Sequence, residues 1–262
     1  MNTIFDLDGL SCELIVTADG SYSLRYALSD QELTEPMHSS KGAWAETLEI
    51  YEPAMRRSLL SIALSSQQTW TVSSVGLGLG YNELLSAGWA FCMKLPPSSF
   101  RLDSYESQPQ LIKAFVEFCT KEKHPSSNSD ALHPVYADIL NRISEHLNIE
   151  REAFEKYLAE LLIFNRLQFH GGLNLIDLLS LTKAFTPSQC ILFDAFSPTS
   201  SPDLWEPLFL EKMIARLSAP QCIFVSYASR TVLKNALRTA RFTLETRNGF
   251  AGKRESTCAV RV

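Results

Sequence analysis

A chain of 262 residues, 45% apolar and 20% charged, holds enough apolar material for one large folded domain and excludes a disordered segment. Its formal charge of −5 argues against a uniformly basic protein, yet ten of its 24 Lys and Arg lie from Glu211 onward, beside three of its 29 acids. That asymmetry is compatible with a basic face that meets phosphates, or with an ordinary solvated face.

The N-terminal "MNTIFDLDGL" has acids where a signal peptide needs basic residues, and no run reaches the ~18 apolar residues that span a bilayer. A cytoplasmic protein without membrane contact is expected. "ELIVTADGSYSLRY" alternates around Asp19-Gly20 and predicts a hairpin, and "KGAWAETLEIYEPAMRRSLLSIA" has helical spacing from Trp44 to about Ala63. "TWTVSSVGLG" predicts a buried strand entering a glycine turn, with a helix from "YNELL" onward. "SFRLDSYES" is the next strand, and a helix runs from Pro109 to about Cys119.

"KEKHPSSNSDALHP" is a loop, followed by helices over about Val135 to Leu147 and Glu150 to Ile163, which read as an insertion at about 120–163. Beyond it come the strand "RLQFHGG", the short helix "LIDLLSLTKAF" and the apolar strand "QCILFDAF". The helix "PDLWEPLFLEKMIARL", the strand "QCIFVSYA" and the helix "RTVLKNALRTA" lead to a closing strand pair. Alternating strands and helices predict an α/β fold with a mostly parallel, Rossmann-like sheet. The closing pair suits a class I S-adenosylmethionine-dependent methyltransferase sheet, whose terminal strand is antiparallel. The expected division is an N-terminal hairpin and helix over 1–70, packed on a methyltransferase domain over 71–262.

Gly76, Gly78 and Gly80 occupy a strand-to-helix turn in G-x-G-x-G spacing, where bare backbone lets a ligand approach closely. A dinucleotide fingerprint is G-x-G-x-x-G with a pyrophosphate at the helix N-terminus, and no phosphate-clamping lysine follows here. Glu106 ends the next strand, where a carboxylate can accept from both hydroxyls of a ribose, with Asp103 as the fallback. Asp194 closes the most apolar strand and suits holding, or taking a proton from, an amine nucleophile. The six cysteines are scattered without a C-x-x-C pair, and the five histidines show no metal-ligand spacing, so no metal is expected.

"VGLGLGYNELL", "DAFSPTSSPDLW" and "NGFAGKRE", with "ADGSYSL" and "MHSSKGAWAE" upstream, resemble the methyltransferase module of the MnmC-type tRNA-modifying family and its stand-alone relatives. The resemblance implies methyl transfer from S-adenosyl-L-methionine to the 5-aminomethyl nitrogen of a modified wobble uridine in a tRNA anticodon loop. It implies a cofactor set of Gly76, Gly78, Gly80, Asn82, Glu106 and Glu46, with Asp194 beside the acceptor amine. RNA contacts are implied at Phe196, Pro198, Trp205, Phe250, Lys253 and Arg254. The chain stops at Val262, soon after "GKRE", so neither the family's oxidase module nor bound FAD is expected.

Two departures stand out: "DAF" replaces the family's "DGF", and Gly172 replaces the acid after the fourth strand, with Asn174 or Asp177 as substitutes. The helical insertion is expected to reshape access to the site. Two other readings remain open, a methyltransferase acting on a small-molecule amine and a non-catalytic module of the same fold. Oligomeric state is not legible in the sequence.

Overall fold

The computed structural model describes residues 3–28, 33–63, 69–122, 128–180, 184–252 and 255–262. The chain opens on an antiparallel meander of β1 (Thr3–Leu7), β2 (Leu10–Val16) and β3 (Tyr22–Leu28). The expected two-strand hairpin is therefore three-stranded. Asp8 and Gly9, both at positive φ, form a two-residue turn that pairs Leu7 with Leu10, the geometry Asp-Gly favours.

Next comes a helix with an internal defect. The segments α1 (Ala43–Glu46) and α2 (Glu52–Ala63) are joined by a π-helical turn over Thr47–Tyr51. Apolar spacing predicts the helix, but a wider turn inside it leaves no periodic signature.

The elements β4 (Trp70–Val75), α3 (Tyr81–Cys92), β5 (Phe100–Glu106) and α4 (Pro109–Thr120) follow in strand–helix alternation. The inserted pair is α5 (His133–Leu147) and α6 (Arg151–Ile163). Asn148 in the left-handed region stops α5, and the Glu150 carboxylate caps α6 by accepting from the backbone N–H groups of Glu152 and Ala153. Then come β6 (Leu167–Gly171), α7 (Leu175–Leu179), β7 (Ser188–Phe193), α8 (Pro207–Leu217) and β8 (Ser218–Ser226). The chain closes on α9 (Thr231–Thr239), β9 (Thr243–Arg247) and β10 (Ser256–Arg261). The predicted helix over "PDLWEPLFLEKMIARL" is interrupted, because a short 3₁₀ turn at Pro202–Trp205 precedes α8 and Glu206 between them is extended.

The large sheet has the order β6-β5-β4-β7-β8-β10-β9. Pairing is parallel from β6 to β8, and β10 inserts antiparallel between β8 and β9. This is the class I S-adenosylmethionine-dependent methyltransferase sheet. β4 is buried along its whole length, as a central parallel strand must be when helices cover both faces. Strand order reverses at β4, so the crevice beyond the carboxyl ends of β4 and β7 is where a ligand belongs.

Leu7, Leu10, Cys12 and Leu24 of the small sheet share one apolar cluster with Trp70, Phe100 and the inserted helices. At ~1.5–3 kcal/mol for each large apolar side chain fully buried, that shared core ties the N-terminal elements to the methyltransferase sheet. All six cysteines are free thiols and five are buried, as small apolar side chains would be. Among the described residues, no helix is long and apolar enough to cross a membrane.

Candidate functional site

A cavity of about 780 Å³ opens at the switch point, lined by Gly76, Gly78, Glu106, Asp194, Phe196 and Tyr227 among others. Pockets for small ligands run to ~300–1,000 Å³, so there is room for a nucleoside-sized cofactor and part of a second molecule.

The strand ends are knitted by backbone bonds. Gly76 N–H donates to Tyr105 O at 2.9 Å, and Asp194 N–H donates to Val75 O at 2.9 Å. Gly76 has φ +100, and a Cβ there would stand 2.6 Å from the Asp194 carbonyl oxygen. Glycine is therefore required at 76 by conformation and by contact with the strand carrying Asp194. Gly78 also lines the cavity, under Met37. Gly80 does not, which corrects its expected cofactor role. Its bare Cα accommodates the Phe115 ring, whose Cε2 would lie 2.3 Å from an added Cβ.

Glu106 sits at the cavity wall with its carboxylate accepting from Gly78 N–H at 3.2 Å and Gln108 N–H at 2.9 Å. Burial lifts its pKa, and the backbone donors partly offset that. Its oxygens retain lone pairs, so ribose hydroxyls can still be accepted. The fallback acid, Asp103, lies within β5, paired to Arg101 at 2.8 Å and His170 at 2.9 Å, and does not line the cavity. Gly172, where the resemblance implies an acid, lines it at φ +72, a conformation glycine adopts without steric cost. Asn174 also lines it, with Oδ1 engaged in capping α7, whereas Asp177 does not.

Asp194 is held from two sides. Tyr51 OH donates to Oδ1 at 2.6 Å, and Asn82 Nδ2 donates to Oδ2 at 2.9 Å. Burial pushes its pKa above the ordinary aspartate value, while His38 and the hydrogen bond from Tyr51 pull it partly back. Tyr51 is available because of the π turn, whose i→i+5 geometry brings Glu46 and Tyr51 toward one face. Asn82 thus reaches the cavity as a holder of Asp194. Glu46 lines the cavity with Oε2 accepting from Ser39 N–H at 2.9 Å and standing 3.7 Å from His38 Nδ1.

Among the described residues the wall contains no Lys or Arg, but carboxylates of Glu35, Glu46, Glu106, Asp194, Asp203 and Glu206. Such a field disfavours phosphate and favours cations such as a sulfonium or an ammonium. The bare glycine turn, the strand-end Glu106 and this field all fit S-adenosyl-L-methionine. No group of three or more His, Cys, Asp or Glu suited to a metal occurs among the described residues.

The expected RNA-contact residues divide. Phe196 lines the cavity, with its ring 5.9 Å from that of Tyr26. Trp205 is corrected to a core residue. It is 5% exposed, packs edge-on to Phe193, and its Nε1–H donates to Phe196 O at 2.8 Å, pinning the loop from below. Phe250 is likewise buried in the main core and lines no part of the cavity, so stacking on a base is not its role in this conformation. Pro198 is half-buried outside the wall, and Lys253 and Arg254 lie outside the described residues. Among the described residues the inserted helices contribute nothing to the wall. Sequence reasoning left His38, within "MHSSKGAWAE", without a stated role and did not place Tyr51 or Tyr26 in the site, since both reach it through tertiary contact with no local motif to mark them.

Residues 144–262 match a family model described as S-adenosyl-L-methionine-dependent methyltransferase. A bifunctional MnmC protein of tRNA 5-methylaminomethyl-2-thiouridine biosynthesis from Methylibium petroleiphilum is 26% identical over 237 residues, 87% of this chain and 32% of that protein. Its counterpart from Burkholderia multivorans is 27% identical over 83% of this chain and 31% of its own length. The chain thus spans about a third of these relatives. The crystal structure of MNMC2 from Aquifex aeolicus superimposes with a TM-score of 0.58 at 22% identity, covering 94% of this chain and 68% of that one, and shares the fold.

Proposed function

We propose, for a chain that by fold and family match is an S-adenosyl-L-methionine-dependent methyltransferase, that its acceptor is the 5-aminomethyl nitrogen of a modified wobble uridine in tRNA. The observation that carries this reading is the cavity wall free of Lys and Arg among the described residues, with Asp194 clasped between Tyr51 and Asn82. A cationic cofactor and a cationic amine both suit that field, and the MnmC relatives supply the precedent for the amine. When bound, S-adenosyl-L-methionine supplies an electrophilic methyl group.

In this reading Gly76 and Gly78 admit the cofactor to the backbone, and Glu106 holds its ribose. Asp194 accepts a hydrogen bond from the acceptor nitrogen and turns it toward the methyl group, since displacement at carbon needs alignment above all. Phe196, backed by the Tyr26 ring, offers an aromatic face to an unpaired anticodon base, a contact worth ~1–3 kcal/mol in single-stranded recognition. Lys253 and Arg254 meet backbone phosphates.

The direct test is incubation with S-adenosyl-L-methionine and tRNA isolated from cells lacking the wobble methyl, followed by nucleoside mass spectrometry. A methylaminomethyl uridine is expected, and its absence at stoichiometric enzyme would defeat the tRNA assignment. Glu106→Gln removes a charged acceptor worth ~1.5 kcal/mol or more, so calorimetry is expected to show cofactor affinity weakened about tenfold or more. Unchanged affinity would remove Glu106 from the ribose contact. Reversing Lys253 and Arg254 to Glu is expected to weaken tRNA binding at least tenfold and to lower its salt slope by about two. Cofactor affinity should be unaffected, and an unaltered slope would place the RNA elsewhere.

A further inference from the structure

The acceptor amine is an ammonium ion at neutral pH and has no lone pair to offer, so a proton must leave it before methylation. The bonds from Tyr51 and Asn82 leave Asp194 a lone pair to hold that nitrogen, but they favour its ionised form and so weaken it as a base. A carboxylate is also a far weaker base than an amine, even with its pKa lifted by burial.

A better-matched base lines the same cavity. His38 is 6% exposed at its side chain, and its backbone N–H donates to Ser23 Oγ at 3.0 Å. The ring meets Tyr81 edge-on at 5.1 Å, and Nδ1 faces Glu46 Oε2 at 3.7 Å. Tyr81 is itself locked, its hydroxyl donating to Tyr22 O at 2.9 Å and accepting from Tyr22 N–H at 3.0 Å. Among the described residues, Nε2 meets no hydrogen-bond partner. A ring with one nitrogen facing a carboxylate in ion-pair range, in a cavity wall, is placed as a carboxylate-backed base.

We infer that His38 is the proton acceptor for the substrate ammonium, with Glu46 as the residue that positions its ring. The inference rests on the amine reading above. In the step, an N–H bond of the ammonium breaks, its electron pair stays on nitrogen as the lone pair, and the proton passes to His38 Nε2 and then to solvent. Asp194 holds the nitrogen meanwhile. The imidazolium so formed is stabilised by Glu46 beside its Nδ1 and by the negative charge of Asp194.

The groups around the ring set the pH at which this works. Glu46 stands on α1, Tyr81 and Glu83 on α3, and Asp194 after β7, where its charge helps keep the phenols of Tyr51 and Tyr227 protonated. Burial alone would favour the neutral ring, but Glu46, Asp194 and Glu83 outweigh it and hold the His38 pKa above the ordinary histidine value. A higher pKa makes a stronger base, closer to that of the amine. Folding stability drawn from the protonated ring is complete below the unfolded histidine value, ~6.5, and is lost as pH rises through the folded pKa.

Two measurements test the assignment. Single-turnover methylation of aminomethyl-uridine tRNA is followed against pH for the wild type, His38→Gln and Glu46→Gln at saturating cofactor. The ring of His38 is separately titrated by NMR in the tRNA-free protein. Wild-type log rate should climb with unit slope to a plateau, its midpoint at the NMR pKa of His38.

His38→Gln should lose about 10²-fold at neutral pH, recover as pH approaches the amine's own pKa, and keep cofactor affinity within twofold. Glu46→Gln should lower the ring's pKa and move the activity limb toward acid with it. A His38→Gln profile matching the wild type overturns the inference, as does a ring that does not titrate between pH 5 and 9 or a loss of rate that parallels lost cofactor affinity. A silent wild type overturns the amine reading itself, and the inference falls with it.

Discussion

Asp194→Asn is expected to lower methyl transfer about 10²–10³-fold while leaving S-adenosyl-L-methionine affinity within about threefold, the pattern of a group that acts on the acceptor. The substitution is unusually clean at this position. An asparagine can keep the bond from Tyr51 OH on its oxygen and turn its amide toward Asn82. The Asn82 Oδ1, buried without a partner, can accept from that amide once the Asn82 side chain flips. The geometry survives, and what is lost is the charge. Burial raises the Asp194 pKa, so the ionised form destabilises the fold as pH rises through that value. Removing the charge should therefore leave the melting temperature at pH 7–8 unchanged or higher. Full turnover in the variant would end the role of Asp194, and a fall in melting temperature would reassign it to folding.

Gly76→Ala should injure both stability and turnover. The residue holds φ +100, and an added Cβ would stand 2.6 Å from the Asp194 carbonyl oxygen and 3.1 Å from its carbon. Backbone, unlike a flexible side-chain end, cannot step aside without moving the ends of β4 and β7. Left-handed strain of ~1 kcal/mol and overpacking of ~1–3 kcal/mol together predict a melting temperature lower by roughly 5–15 °C. The displaced strand end carries Asp194, so turnover measured well below the melting transition should fall too, by tenfold or more. Gly171→Ala is the control, because a Cβ at 171 meets nothing within 4 Å. If Gly76→Ala melts and turns over like that control, the close packing at the switch point is not what demands glycine there.

Much of the architecture was legible because its causes are local. The apolar run of β4, the glycine turn and the amphipathic helices each carry their signal within a dozen residues, and strand–helix alternation then dictates a parallel sheet. Glu106 and Asp194 were legible for the same reason, since a carboxylate ending a buried strand must emerge at the sheet's carboxyl edge. Trp205 and Phe250 misled because aromatic identity does not say which way a ring faces. Both are drawn into the core, where large apolar surface is most stabilising. Gly80 misled because a glycine admits a neighbouring ring as readily as a ligand.

The sequence by itself determined the sheet, its switch point, the cofactor class suited to that turn and the two acids at its rim. Only the tertiary structure decided what surrounds those acids. Tyr51 turns toward Asp194 through a π bulge 143 positions away in the chain, and His38 meets Glu46 beside it. The Tyr51 contact leaves no trace in local periodicity, because it depends on where the N-terminal elements settle over the carboxyl edge of the sheet. That placement is set by the burial of Leu7, Leu10 and Leu24 in the common core, a long-range packing free energy that no window of sequence contains.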